Sequence, residues 1–400
     1  MRSEPQRRDA AIDFVRGAGI LMIGVDHLAY LAEKLAGPAF INPFVTWLRI
    51  GWSSAAEFFV FFSGYLIGAV YLKTLETHGP WMTWARAAQR SWHIYVVNLL
   101  TLCAVFALLH GGAFADQALL RVSDMQELFG SAAAEHFSAF LSLRFAPMFF
   151  EILGLYVVLL LLAPAILMAA RLSSALVIAI SLAAWLLVQL QLGRELTPAM
   201  AATNSFNPLA WQLVFVLGML AGMHRTFGWL RRHVSRRSLL FVTGGLLALA
   251  LVVKMLERFD SVLPIVGALK VPDAQKMNLG TLQLLHFLIS VVFVMQIVPR
   301  SQAAQNYWAF RAVTAVGRRS LECFCLSTII VYAMVGVLAQ SKSFDVLSML
   351  VCGGLIVVAL CAAAPVIEWV DSKPWRGHKR PRAGLPEADL SAPLSARNVP

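Results

Sequence analysis

The chain is 400 residues long, 59% hydrophobic and only 14% charged, with a mean hydropathy of +0.70, far more apolar than a soluble globular protein. A net charge of +11 would point to nucleic acid in a water-soluble chain, but most of the cations fall in short connections between apolar runs. That distribution is a membrane-topology signal and leaves nucleic acid out.

The apolar runs predict an all-α, polytopic membrane bundle of about ten helices, at roughly 13–33, 53–72, 91–110, 148–170, 173–192, 207–225, 238–256, 280–299, 319–340 and 345–370. Alternate connections carry the cations, from Arg7 and Arg8 through Lys73, Arg86 and Arg90 to Arg231, Arg232, Arg236 and Arg237, which puts both termini in the cytoplasm. The basic start has no small-residue cleavage site and leads into a charged helix, so it is expected to stay as part of the first span. The membrane domain is expected over 1–382, and the Pro-, Ala-, Ser- and Glu-rich tail over 383–400 is expected to be disordered. Cys103, Cys323, Cys325, Cys352 and Cys361 all lie in apolar segments and are read as small core residues rather than a disulfide framework or a metal site.

Ionisable side chains within a span are costly unless paired or solvated, so each needs a reason. The first helix has four: Asp13, Arg16, Asp26 and His27. Helical geometry returns His27 to nearly the face of Arg16, about 16 Å further along the axis. One face thus carries a cation near the cytoplasmic end and an imidazole in the outer half, suited to a general base. Snorkelling of Arg16 and simple helix packing by His27 are the alternatives. Glu57, near the outer end of the second helix, is expected at about the depth of His27, where a carboxylate would fix the imidazole tautomer. Asp26 is about 100° around the helix from His27; a catalytic role and a structural ion pair are both open to it. Gly64 and Gly68 are spaced for close helix packing.

Further along, Arg86, Arg90, His93 and Tyr95 stand at the cytoplasmic entrance to the third helix, where guanidinium groups could bind the phosphates of an acyl-CoA. Positive-inside anchoring explains them equally. The connection over 111–147 carries Asp116, Asp124, Glu127, Glu135 and His136 and is expected to form short interfacial helices over the mouth of a cavity. Glu151 opens the fourth helix, and Asn207, Trp211 and Gln212 open the sixth, a polar and aromatic group suited to sugar hydroxyls and faces. Aromatic-belt anchoring of Trp211 and capping by Asn207 are the alternatives. His286, about two turns into the eighth helix, would line the same cavity or bond a neighbouring helix. No Walker loop, Rossmann fingerprint, Gly-x-Ser-x-Gly elbow or His-Glu-x-x-His motif occurs, so chemistry without a permanently bound cofactor or metal is the simplest expectation. A transporter or channel is the rival class, against which the lack of internal repeats weighs.

Five segments, IDFVRGAGILMIGVDHL, SSAAEFFVFFSGYLIG, PMFFEILGLYVVLLLLAP, NSFNPLAWQLVFVLG and VGRRSLECFCLSTII, follow in order through nearly the whole chain. In them the sequence resembles the OpgC family of bacterial inner-membrane proteins, within the acyltransferase-3 group. An arginine and a histidine separated by ten residues on the first helix form that group's activity signature, and Arg16 and His27 match it. The group's arginine-rich start of the third helix, ending in Ile-Tyr, is matched by Arg90, His93, Ile94 and Tyr95, with His93 in place of an arginine. Family members often carry aspartates where this chain has Ser54 and Glu151. The resemblance implies an inner-membrane enzyme that moves a succinyl or related acyl group from cytoplasmic acyl-CoA, such as succinyl-CoA, to hydroxyls of osmoregulated periplasmic glucans. Another envelope polysaccharide or glycolipid is the alternative acceptor, and membrane lipid is the remaining partner.

Overall fold

The computed structural model describes residues 9–38, 40–46, 51–110, 114, 116–190, 206–256 and 277–373; the expected tail over 383–400 lies outside them. Among the described residues every regular element is helical. Helix α1 (Ala10–Ala36) starts where the Asp9 carboxylate accepts the Ala11 N–H and stops at Gly37, whose φ of 77° with ψ −162° is a backbone conformation that glycine alone adopts without strain. Helix α2 (Ala55–His110) is 56 residues long and is broken at Gly79, φ 77°, immediately before Pro80. At 1.5 Å per residue it would be roughly 84 Å straight, so the break turns one long helix into two legs.

The connection that follows folds into α3 (Gln117–Val122), a 3₁₀ turn over Met125–Leu128 and α4 (Ala133–Leu141), the short helices expected there. Then come α5 (Glu151–Leu172), α6 (Ser174–Gln189), α7 (Pro208–Met223), α8 (Thr226–His233), α9 (Arg236–Leu256) and α10 (Thr281–Ile297). The chain closes with α11 (Gln302–Asn306), α12 (Trp308–Arg318), α13 (Ser320–Ser341) and α14 (Val346–Asp371). Six of these, α1, α2, α5, α9, α13 and α14, are long and apolar enough to cross a membrane, and α7 with α8, bent by 65°, makes a seventh. The ten apolar runs all fall on helices, but α2 holds two of them, and α6, α7 and α10 are only 16 or 17 residues long. The amphipathic α12, which no long apolar run announces, packs heavily against α1.

Two seams set the architecture. Gly64 and Gly68 on α2 lie against the backbone of α7 at Phe215 and Met219, and Gly218 and Gly222 on α7 lie against α2 at Phe61 and Tyr65. A methyl at any of the four would strike a carbonyl oxygen, so small residues let these helices meet backbone to backbone, which is how helices associate where lipid removes the hydrophobic drive. Gly17 of α1 and Gly317 of α12 form the second such crossing, each against the other's helix. Helix α13 runs beside α1 with Ser320 at Arg16 and Ser327 at Gly24. These contacts fix α1 at the centre, with α2, α12, α13 and α14 around it.

Candidate active site

His27 sits in the outer part of α1 with its ring flat on Phe149, the centroids 3.6 Å apart and the planes 10° from parallel. Phe324 of α13 meets it edge-on at 6.1 Å. Its Nδ1 is buried with no hydrogen-bond partner among the described residues. One turn below, the hydroxyl of Ser327 is also buried without a partner, pressed against Gly24. An unmade hydrogen bond in a dry interior costs about 1–3 kcal/mol, so two on one seam mark a place kept for something other than packing.

Phe149 itself is held in a strained backbone. Its φ is +76°, a region that bulky residues rarely occupy and that accumulates at functional sites. Several groups hold the turn: the Glu151 carboxylate accepts the Phe149 N–H, Tyr332 of α13 donates to the Met148 carbonyl at 3.0 Å, and the Met148 N–H donates to Ser123 O at 3.1 Å. Glu151 therefore acts on His27 through the turn that presents Phe149. Nothing in the sequence marks a phenylalanine for a positive φ, which is why Phe149 is missing from the sequence-based site.

Glu57 is a correction. It neither bonds nor pairs with His27; its carboxylate accepts the Ser54 N–H at 2.9 Å, the Ser54 hydroxyl at 2.6 Å and the Gln283 amide at 2.5 Å. The start of α2 meets α1 at Gly19, which faces Ala55, eight residues or about 12 Å before His27. Depth, which sequence alone misjudges, is the physical reason. Asp26 points elsewhere too, accepting the Thr46 hydroxyl at 2.5 Å, as its position around the helix requires. His286 is buried beside Glu57's cluster, its Nδ1 meeting the Ser53 hydroxyl at 2.7 Å, a bond from α10 to the segment that leads into α2 rather than a cavity lining.

At the other end of α1, Arg16 donates to the Ser320 hydroxyl at 2.5 Å. Arg16 and Arg90 both lie within Coulomb range of Tyr156, and Arg90 and Arg86 within range of Tyr71. Arg86 donates to Thr74 at 2.6 Å, while Arg90 is exposed and makes no hydrogen bond or ion pair to a described residue. By contrast, Arg318 is held by Glu368 and Arg319 by Asp371. His93 is exposed next to Arg90. Tyr95 departs from the group: its hydroxyl donates to the Leu141 carbonyl at 2.9 Å, because its place further along α2 carries it to α4.

The proposed sugar-facing residues of α7 are also corrected. Trp211 is buried and donates to the Met277 carbonyl at 2.9 Å. Asn207 caps α7 through the Leu209 N–H and bonds Asn278. The Gln212 amide donates to the Ser181 and Leu209 carbonyls. All three tie α7 to its neighbours. Glu151 alone of the expected acceptor residues lines a cleft, together with Asn98, Arg144 and Phe150. Asp124 lies within Coulomb range of it, and burial, then Glu127, pushes the Asp124 carboxyl above its ordinary value. A second cleft, lined by Arg231, Arg236 and Arg300, opens between α8 and the end of α10. Among the described residues no cluster of His, Cys, Asp and Glu could hold a metal.

No curated protein and no solved structure is recognisably similar to the chain. The model of the OpgC protein family, however, matches residues 8–372, a span that takes in α1 with His27, the Phe149 turn and the three arginines. The chain belongs to the OpgC family.

Proposed function

We propose that the chain is a membrane O-acyltransferase of the acyltransferase-3 type, which passes an acyl group, succinyl in the first instance, from cytoplasmic acyl-CoA to a hydroxyl of an osmoregulated periplasmic glucan. The observation that carries this reading is His27: an imidazole nitrogen buried without a partner, on the same helix as Arg16. Membership of the OpgC family supports a glucan as acceptor. The orientation that suits the chemistry has ten spans, both termini in the cytoplasm of a bacterial inner membrane, Arg16 inside and His27 in the outer half.

In this reading Arg16, Arg86 and Arg90 hold the phosphates of the donor, and the pantetheine arm runs along α1 for the roughly 16 Å to His27. His27 takes the proton of the glucan hydroxyl as the oxygen attacks the thioester carbonyl. The C–O bond forms, the C–S bond breaks, and the imidazolium returns the proton to the departing thiolate, leaving an ester and free CoA. Phe149, not Glu57, orients the ring. The test is transfer of a labelled succinyl group from succinyl-CoA to purified glucan by membranes containing the protein. His27→Ala should abolish it, and wild-type transfer by that variant would overturn the assignment. Mass spectrometry of glucans and other envelope polysaccharides from a deletion strain distinguishes the acceptors.

A further inference from the structure

The cleft beside the Phe149 turn contains one more group without a partner. Asn98, on the second leg of α2, is only 3% exposed, makes no hydrogen bond to a described residue, and has a buried Oδ1. Its neighbours in the cleft are Glu151, Arg144 and the rings of Phe140, Phe145 and Phe206. A mostly apolar lining with a few convergent polar groups has the composition of a small-molecule site. The polar set here is an amide, a carboxylate and a guanidinium whose Nε is engaged by Ser142 at 2.9 Å; together they offer acceptors and donors to a neutral polyhydroxyl ligand. The link to the chemistry is covalent, because Phe149 lies on His27 while the next two residues, Phe150 and Glu151, line the cleft.

We infer that this cleft is the acceptor subsite, in which Asn98 accepts a hydrogen bond from a sugar hydroxyl while a neighbouring hydroxyl of the same unit is presented to His27. Asn98 is a binding residue and plays no part in proton transfer. The inference rests on the acyltransferase reading for its substrate, but not for its site. A small buried amide left unpaired costs stability, so removing it leaves the fold intact. Gly154 supplies an independent variant: it lines the cleft, and an added methyl would meet Leu143 at 3.6 Å, an ordinary contact that narrows the space without strain.

The experiment uses the full chain in lipid nanodiscs and measures both binding of glucan oligosaccharide and succinyl transfer at varied glucan and succinyl-CoA. Asn98→Ala should weaken glucan binding and raise the glucan KM about three- to tenfold, the worth of one neutral hydrogen bond, with the KM for succinyl-CoA unchanged. Gly154→Ala should shift glucan KM in the same direction. If the wild type transfers succinyl and both variants keep its glucan affinity and KM, the cleft is not the subsite. If the wild type binds glucan in an Asn98-dependent way but transfers nothing, the subsite stands and the transferase reading falls. If glucan does not bind at all, the subsite falls.

Discussion

The bundle holds two buried polar sites, and they are built on opposite terms. Around Glu57 the carboxylate is fully engaged: its two oxygens receive donors from Ser54 and Gln283, and one turn along α10 His286 is engaged by Ser53, while the Gln283 side-chain oxygen is left without a partner among the described residues. These bonds join the start of α2 to α10. Around His27 the opposite holds. The ring is positioned by aromatic faces alone, and its Nδ1, like the Ser327 hydroxyl below it, meets no donor or acceptor among the described residues. A bonded polar cluster fixes which helices are neighbours, whereas an unbonded imidazole nitrogen is what the proposed proton transfer requires. Sequence reasoning treats both histidines and both glutamates as one cavity; hydrogen bonding separates them.

The sharpest way to break this contrast is to remove both sites and compare rate with stability. His27→Ala should lower succinyl transfer by about 10²–10⁴, the range of a general base, far more than the loss of the ring's packing on Phe149 lowers stability in thermal unfolding, since no hydrogen bond to its Nδ1 is lost. A drop in melting temperature together with retained transfer would make His27 a packing residue.

Glu57→Ala should do the reverse. It leaves the Ser54 and Gln283 donors buried and unpaired, a cost of about 1–3 kcal/mol, which thermal unfolding should register while the KM values for donor and acceptor stay put. If Glu57→Ala instead matched His27→Ala in rate with no loss of stability, the carboxylate would belong to the chemistry after all.

Phe149→Leu tests how the open site is held. Exchanging the ring removes the stacking on His27, worth about 0.5–1.5 kcal/mol, and the strained turn loses the contact that compensates for it. Transfer should fall about tenfold with both KM values little changed, because a positioning residue acts on the step and not on binding. A rise in glucan KM with unchanged kcat would place Phe149 in the acceptor site instead.

How much of this was legible in the sequence follows from the range of each signal. Period and length place the helices because they are properties of one segment. The Gly64 and Gly68 spacing announces a seam, and its answering pair, Gly218 and Gly222, is visible once α2 and α7 are known to touch. Arg16 and His27 can be read together because they share one helix. Glu57 cannot be assigned that way, since its partner Gln283 is 226 residues away and its depth depends on how the start of α2 is set against α1. Asn98 carries no local mark at all: a polar residue in an apolar run becomes informative only when its neighbours are seen to leave it unbonded. Phe149 is hidden for a different reason, because its role depends on a backbone angle that its residue type disfavours.

The smallest expected effect tests the correction at α7. Trp211 has the residue type of a sugar-binding platform, but its ring is buried against Phe206, with centroids 4.7 Å apart, and its one N–H is committed to the Met277 carbonyl. That carbonyl also accepts the Asn207 N–H at 3.1 Å, so it is not orphaned when the indole goes. Trp211→Phe should therefore cost about 1–2 kcal/mol of stability, for the lost bond and the space left by the smaller ring, and leave the glucan KM at its wild-type value. The comparison with Asn98→Ala decides between the two acceptor surfaces: an increase in glucan KM larger for Trp211→Phe than for Asn98→Ala would return the sugar to α7, and the order argued from hydrogen bonding is the reverse.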